Sequence, residues 1–158
     1  MYTKRIILLA AMLSIAAGLA AADDPLMGNW KLNVAKSKYE IGQAPKSYTR
    51  SHEAVPNGMK VSREEVDAAG KVYHPSWTAK FDGKDYPLLG EPGGMVDSLY
   101  LKRLDPHTVV GGSKKNGVLI NELRWEVSQD GKTFTWIATR VNPPELKGKK
   151  VIQVFDRQ

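Results

Sequence analysis

Residues 118–141 read VLINELRWEVSQDGKTFTWIATRV, and this stretch decides the fold class. Apolar and charged residues alternate before the Asp130-Gly131 dipeptide, and the alternation resumes after it. A period of two is typical of strands with one buried face, and Asp-Gly tolerates the positive φ angles of a tight turn. The stretch therefore predicts an antiparallel hairpin whose buried faces carry Leu119, Leu123, Trp125 and Val127 on one strand and Phe134, Trp136 and Ala138 on the other.

The same pattern extends along the chain in both directions. Asn57-Gly58, Asp82-Gly83 and Asn116-Gly117 are further hairpin dipeptides, and turn signals recur at the spacing of an all-β sandwich or barrel. Residues 35–47 form the longest irregular stretch, for which we expect one helical turn. The pattern predicts ten strands, near 28–34, 48–55, 59–67, 72–81, 85–90, 96–104, 108–114, 118–127, 133–141 and 150–157.

Most links between these strands are short, so sequence neighbours should pair as antiparallel hairpins. A ten-strand meander would leave two bare edges that invite aggregation, and closure into a barrel removes them. We predict an all-β, antiparallel up-and-down β-barrel of about 8–10 strands, with a two-sheet sandwich as the alternative. Pro75 and Pro87 cannot donate ladder hydrogen bonds, so they predict weak pairing there, as a portal or a bulge.

The amino-terminal segment has the three parts of a secretory signal peptide. Lys4 and Arg5 precede an uncharged run, residues 6–22, that ends in three alanines. A membrane anchor is the alternative, but a spanning helix needs about 20 strongly apolar residues and this run is shorter and rich in Ala and Gly. We expect residues 1–22 to be a signal peptide and residues 23–158 a single domain, periplasmic or secreted, with no membrane span after cleavage.

Composition narrows the classes of function. The chain has no cysteine, which excludes disulfides, thiolate metal sites and a cysteine nucleophile. Cleavage after Ala22 would lower the formal charge from +6 to +4, and the remaining Lys and Arg residues form no stripe of the kind that nucleic-acid binders carry. His52, His74 and His107 are not at metal-ligand spacing. We therefore expect a monomer with no nucleic-acid partner, no metal and no cofactor.

The first strand carries a family resemblance. Gly28-Asn29-Trp30 resembles the Gly-x-Trp opening strand of lipocalins and fatty-acid-binding barrels, together called calycins. The resemblance implies a barrel floor made of Gly28 and Trp30, with Arg157 near the chain end over the tryptophan. The stretch 28–47 also resembles small exported lipocalin-like proteins of bacteria that have no assigned role. Unlike fatty-acid-binding barrels, the last strand has no Arg-x-Tyr pair, and residues 35–47 are too few for a helical lid.

On two of the predicted strands, polar side chains occupy alternate positions and therefore lie on one face of the strand. Tyr48, Arg50 and His52 share one parity of the second strand, and Arg63 and Glu65 share a parity with two apolar residues of the third. If these parities face inward, the arginines need an anion or a partner, because burying an unpaired charge is costly. The alternatives are that they face water, with Thr49 and Val55 inward, or that Arg63 pairs with Glu65 or a neighbour. The predicted ligand-binding set is Tyr48, Arg50, His52 and Arg63 for a polar head group, with Trp77, Tyr100, Trp125 and Trp136 lining the apolar part.

Three classes of function fit this reading. The first is an exported lipocalin-like protein that binds a small amphipathic or hydrophobic molecule. The second is a barrel enzyme such as an isomerase, with His52 and Glu53 or Arg63 as acid–base groups, although we assign no catalytic residue. The third is an envelope-structural or protein-binding barrel with a filled core. An open cavity would separate the first two from the third, and clustered shifted pKa values would favour an enzyme.

Overall fold

A computed structural model describes residues 24–158, which form one twelve-stranded antiparallel sheet. The predicted signal peptide, residues 1–22, lies outside the described residues. Within the described part, no helix is long and apolar enough to cross a membrane. The strands are β1 Gly28–Leu32, β2 Lys38–Tyr39, β3 Ser47–Val55, β4 Gly58–Val66, β5 Val72–Tyr73, β6 Ser76–Lys80, β7 Tyr86–Pro87, β8 Ser98–Asp105, β9 Thr108–Lys115, β10 Val118–Val127, β11 Thr133–Arg140 and β12 Lys150–Arg157. Single 3₁₀ turns lie at Val34–Lys36, Pro92–Gly94 and Pro144–Leu146.

The sheet curls strongly into a half-barrel, and the prediction of an all-β up-and-down architecture is confirmed. Its main path runs β5-β4-β3-β1-β12-β11-β10-β9-β8-β7, with β2 on β12 and β6 on β4. The first and last long strands are neighbours, and Trp30 of β1 lies opposite Arg157 of β12 and Arg50 of β3. The predicted helical turn between the first two long strands is the 3₁₀ turn at Val34–Lys36, which the short strand β2 follows.

The regular hydrogen-bond ladder is interrupted between β6 and the β7–β8 pair. Only the isolated bridges Ser76–Leu89 and Asp82–Lys102 join the two sides within residues 24–158. Pro75 separates β5 from β6, and Pro87 ends a strand of two residues, so the predicted fourth strand is two strands and the predicted fifth is very short. The expectation of weak pairing at these prolines is confirmed, because neither proline has an N–H to donate.

The alternation along each strand separates its side chains into an inner and an outer face of the half-barrel. Arg50 of β3 is 3% exposed and His52 is 2% exposed, whereas Thr49 and the other residues of its parity are exposed or half-exposed. The polar parity of β3 therefore faces inward, and the alternative with Thr49 inside is wrong. The largest fully buried side chains on this face include Trp30, Trp125, Phe134 and Phe155.

One end of the half-barrel is closed by Trp30 and the residues around it, which we call the floor. The Arg157 guanidinium lies 4.1 Å from the centroid of the Trp30 ring, a cation–π contact. Arg157 also donates hydrogen bonds to the carbonyl oxygens of Met27, Pro25 and Gly131. Gly28 has a φ of +118°, and a Cβ there would lie 2.5 Å from the Arg157 side chain, so the close approach requires glycine.

Candidate ligand cavity

A cavity of about 220 Å³ lies inside the half-barrel. It is bounded by β3, β4 and β6 on one side, by β8 to β12 on the other, and by the segment 88–96 that connects β7 to β8. Met95 lines the cavity and is 55% exposed, so the cavity reaches the surface beside this segment. The lining residues are Tyr48, Arg50, Arg63, Glu65, Trp77, Leu88, Glu91, Pro92, Met95, Val96, Leu99, Ser113, Asn121, Leu123, Trp125, Trp136 and Gln153.

Arg50 is the most deeply buried charged residue of the lining. Its Nε donates a 2.7 Å hydrogen bond to Nε2 of His52, and its guanidinium lies 5.0–5.6 Å from the ring centroids of Phe134, Trp125 and Phe155. None of the ion pairs among the described residues includes Arg50. Burial lowers the pKa of Arg50 to about 10, which still leaves it charged at neutral pH. The cavity therefore contains a positive charge with no direct ion-pair partner among the described residues, and the nearby Glu91 charge offsets only part of the effect of burial on it.

The contact with His52 also fixes the state of that imidazole. His52 Nδ1 lies 2.8 Å from the Leu26 carbonyl oxygen, and because a carbonyl only accepts, Nδ1 carries the proton and Nε2 accepts from Arg50. Burial, together with the nearby Arg50 charge, holds the pKa of His52 well below its ordinary value of 6.5. His52 is thus a neutral spacer between the floor and Arg50, with both ring nitrogens engaged.

Arg63 differs from Arg50 because it has an acidic partner. Its guanidinium donates to the Tyr48 hydroxyl at 3.1 Å and to Oε1 of Glu91 at 2.6 Å. Both side chains of the Arg63–Glu91 ion pair are almost buried, at 13% and 12% exposed. Burial opposes the charge, but Tyr48 and Glu91 outweigh it and raise the pKa of Arg63 above its ordinary value. The pair ties the segment 88–96 to β4 across the mouth of the cavity.

The rest of the polar lining is neutral or partly exposed. Glu65 is half-buried, and burial raises its pKa while the Arg63 charge opposes that rise. The side-chain nitrogen of Asn121 donates to Ser113 Oγ at 2.8 Å, and this bond does not involve the side-chain oxygen of Asn121. The indole Nε1 of Trp125 is buried and has no hydrogen-bond partner within residues 24–158. A buried donor without a partner is rare in folded proteins.

The structure brings six of the eight predicted ligand-binding residues to this cavity. They are Tyr48, Arg50, Arg63, Trp77, Trp125 and Trp136.

Two predicted residues lie elsewhere. Tyr100 is on the outer face of β8, packed on Gly112, because Leu99 and Leu101 on either side of it point inward and consecutive residues of a strand face opposite ways. The prediction that Tyr100 lines the interior is therefore wrong. His52 faces inward but lies below Arg50 in the floor and does not reach the cavity.

Sequence reasoning missed several lining residues. Glu91 belongs to a Glu-Pro-Gly-Gly stretch that reads as a turn, and nothing local relates it to Arg63. Asn121 and Gln153 did carry a signal, because each places an amide in a parity otherwise filled by apolar side chains. A polar residue that interrupts a buried face needs a hydrogen-bond partner, and such interruptions mark sites.

The described residues contain no group of three or more His, Asp or Glu side chains able to hold a metal ion. No protein-family model matches the chain, and a search of curated proteins finds no significantly similar sequence. The function of the cavity must therefore be argued from its own geometry.

Proposed function

We propose that the protein is an exported, lipocalin-like binding protein for a small, partly hydrophobic molecule. The observation that carries the proposal is the combination of an aromatic cavity of about 220 Å³ with the Arg50 guanidinium, which has no carboxylate partner among the described residues. Small-molecule sites usually combine an apolar pocket with a few convergent polar groups. Keeping an unpaired charge inside a protein is costly, which favours a role for that charge in binding.

Two features distinguish this function from its alternatives. A barrel with a filled core would not leave a cavity among Trp77, Trp125 and Trp136, so the cavity counts against a purely structural role. An enzyme that uses His52 as its acid–base group would need a ring nitrogen facing the substrate, and both nitrogens of His52 bond to other residues. The shifted pKa values of Arg50, Arg63 and Glu65 in the cavity follow from burial and from the contacts of Arg63 with Tyr48 and Glu91. Binding is therefore the function that we propose.

Within the predicted head-group set we assign the main ligand contact to one residue. Arg50 and Arg63 were expected to act together on a ligand, but Glu91 already neutralises Arg63. Arg50 is therefore the primary polar contact for the ligand. Tyr48 and Arg63 hold the wall beside it, and the three tryptophans supply the apolar contacts.

Native mass spectrometry of the protein purified from its own host tests the proposal directly. We expect an intact mass that begins at Asp23 and an additional non-covalent species carrying one small molecule. Tryptophan quenching by a panel of hydrophobic and amphipathic compounds provides a second measurement, because Trp77, Trp125 and Trp136 line the cavity. A bare mass together with no quenching by any compound would contradict the binding function.

A further inference from the structure

The size of the cavity limits its ligand more tightly than the fold does. An apolar protein cavity of ~150 Å³ is known to hold benzene. Sites for drug-sized molecules measure about 300–1,000 Å³. At about 220 Å³ this cavity lies between these values. It can enclose a molecule of one or two rings, whereas part of a long acyl chain would extend through the mouth into solvent.

The charges around the cavity point to a ligand with a single negative charge. The Arg63 and Glu91 charges cancel in a 2.6 Å ion pair, so they leave no net charge at the wall. Glu65 is two residues from Arg63 toward the strand end, is half-buried, and forms no ion pair with Arg50. The Glu65 charge acts on Arg63, and burial raises the pKa of Glu65. Arg50 is thus the arginine of the lining that has no ion-pair partner, and we assign its charge to the ligand. A carboxylate balances it, whereas a phosphate monoester carries about −1.5 to −2 charges at pH 7.

The geometry of Arg50 suits a planar anion. Its Nε is held by His52, and its guanidinium plane is fixed among the rings of Phe134, Trp125 and Phe155. A guanidinium held in this way presents its terminal nitrogens as a preformed fork, which matches the two oxygens of a carboxylate. The loss of side-chain entropy on binding is small because the arginine is already immobilised.

The apolar walls suit an aromatic ring. The rings of Trp77 and Trp125 lie 5.9 Å apart between centroids and are tilted by 40°. Trp136 faces Trp125 across the β10–β11 pair. Aromatic side chains favour tilted and offset contacts with a further ring, which adds to the gain from burying apolar area.

We propose that the ligand is a compact aromatic carboxylate of one or two rings, bound with its carboxylate on Arg50 and its ring among Trp77, Trp125 and Trp136. The inference rests on the proposed binding function and names the ligand class. It sets this cavity apart from sites for long-chain acids.

The test compares matched compounds on the purified protein by isothermal titration calorimetry and tryptophan quenching. The panel consists of benzoate, 2-naphthoate and phenyl phosphate, the neutral amides benzamide and 2-naphthamide, and dodecanoate. We expect each aromatic acid to bind about tenfold or more tightly than its amide, since hydrogen bonds to charged groups contribute that much. Phenyl phosphate and dodecanoate should bind more weakly than 2-naphthoate.

Two variants locate the contact. Arg50→Met should lower the affinity for 2-naphthoate by about tenfold or more and leave the affinity for the amide unchanged. Arg124→Met is the matched control, because Arg124 lies on the outer face of β10 beside Trp125, paired with Glu126. It removes the same charge from the chain and should leave both affinities unchanged. Because the acid–amide comparison uses the unmodified protein, it holds even if Arg50→Met does not fold.

The outcomes separate the two proposals. Amides that bind as tightly as acids, tighter binding of dodecanoate or phenyl phosphate, or full affinity in Arg50→Met would overturn the aromatic carboxylate and leave the binding function standing. An absence of binding by every compound, together with a bare native mass, would overturn both.

Discussion

The floor and the cavity occupy the same half-barrel but satisfy their polar groups to different degrees. At the floor, Arg157 donates to three carbonyl oxygens, and the Leu26 carbonyl accepts from both Trp30 Nε1 and His52 Nδ1. At the cavity, Trp125 Nε1 has no partner and Arg50 has no carboxylate among the described residues. Complete hydrogen bonding stabilises a fold, whereas unused bonding capacity beside a void is what a ligand can take up. Stability therefore depends mainly on the floor, and binding on the cavity that adjoins it through the Arg50–His52 contact.

The largest expected effect is at the floor. Trp30→Ala should lower the free energy of unfolding by about 3–5 kcal/mol, the range for deleting a fully buried tryptophan, since Trp30 is 0% exposed. Trp136 is the control, because it is only half-buried and borders the cavity. Urea denaturation should show a smaller loss for Trp136→Ala. Equal losses in the two variants would contradict the division between floor and cavity.

The second effect concerns the ion pair that crosses the cavity mouth. Glu91→Gln should cost about 2–3 kcal/mol, at or just below the lower limit for breaking a buried pair, because it leaves Arg63 unpaired. The double variant Arg63→Met, Glu91→Leu should recover most of that loss, because it removes both charges. Urea denaturation of the single and double variants measures the difference. A double variant that is less stable than Glu91→Gln would show that the pair stabilises the fold beyond its own charges.

The third effect is a pH dependence that originates at the floor. The folded protein holds His52 neutral, with its pKa well below 6.5, while the unfolded chain protonates it near 6.5. The unfolded state therefore binds more protons below pH 6.5, and the stability from His52 is present above that pH and lost as the pH falls. Between pH 7.5 and 5.5 the loss should be about 1.4 kcal/mol. Urea denaturation at pH 7.5 and pH 5.5 should show this loss of stability in the native protein and not in His52→Gln. An equal loss in the variant would assign the pH dependence to another group.

The two regions also differ in how far the sequence predicts them. Alternating residues and Asp-Gly or Asn-Gly turns predict the strands, because both signals are local, and Asn57, Asn116 and Gly131 all have the positive φ angles that these turns require. The contact between Trp30 and Arg157 joins residues far apart in the sequence, and its prediction rests on a resemblance to a known family and not on a local pattern.

The cavity was predicted less completely because its contacts are not local. Arg63 and Glu91 are 28 residues apart and meet only because the segment 88–96 folds back over β4. No periodic pattern in the sequence predicts this contact between Arg63 and Glu91. Tyr100 points outward because Leu99 and Leu101 on either side of it face inward, and its aromatic character predicts burial but not which face of the strand it lies on.

The smallest expected effect on stability is at Arg50, where the effect on binding should be largest. Arg50→Met removes a buried charge without a carboxylate partner, which stabilises, but it leaves His52 Nε2 without its donor, which costs about 1–3 kcal/mol. Replacing buried charges by apolar groups of similar size is often neutral or stabilising, so the two contributions should cancel to within about 1 kcal/mol. Urea denaturation beside calorimetric titration with 2-naphthoate measures both properties. A variant that keeps its stability and loses the ligand would show that Arg50 is retained for binding, because a residue kept for the fold would lower stability when it is removed, as Trp30 should.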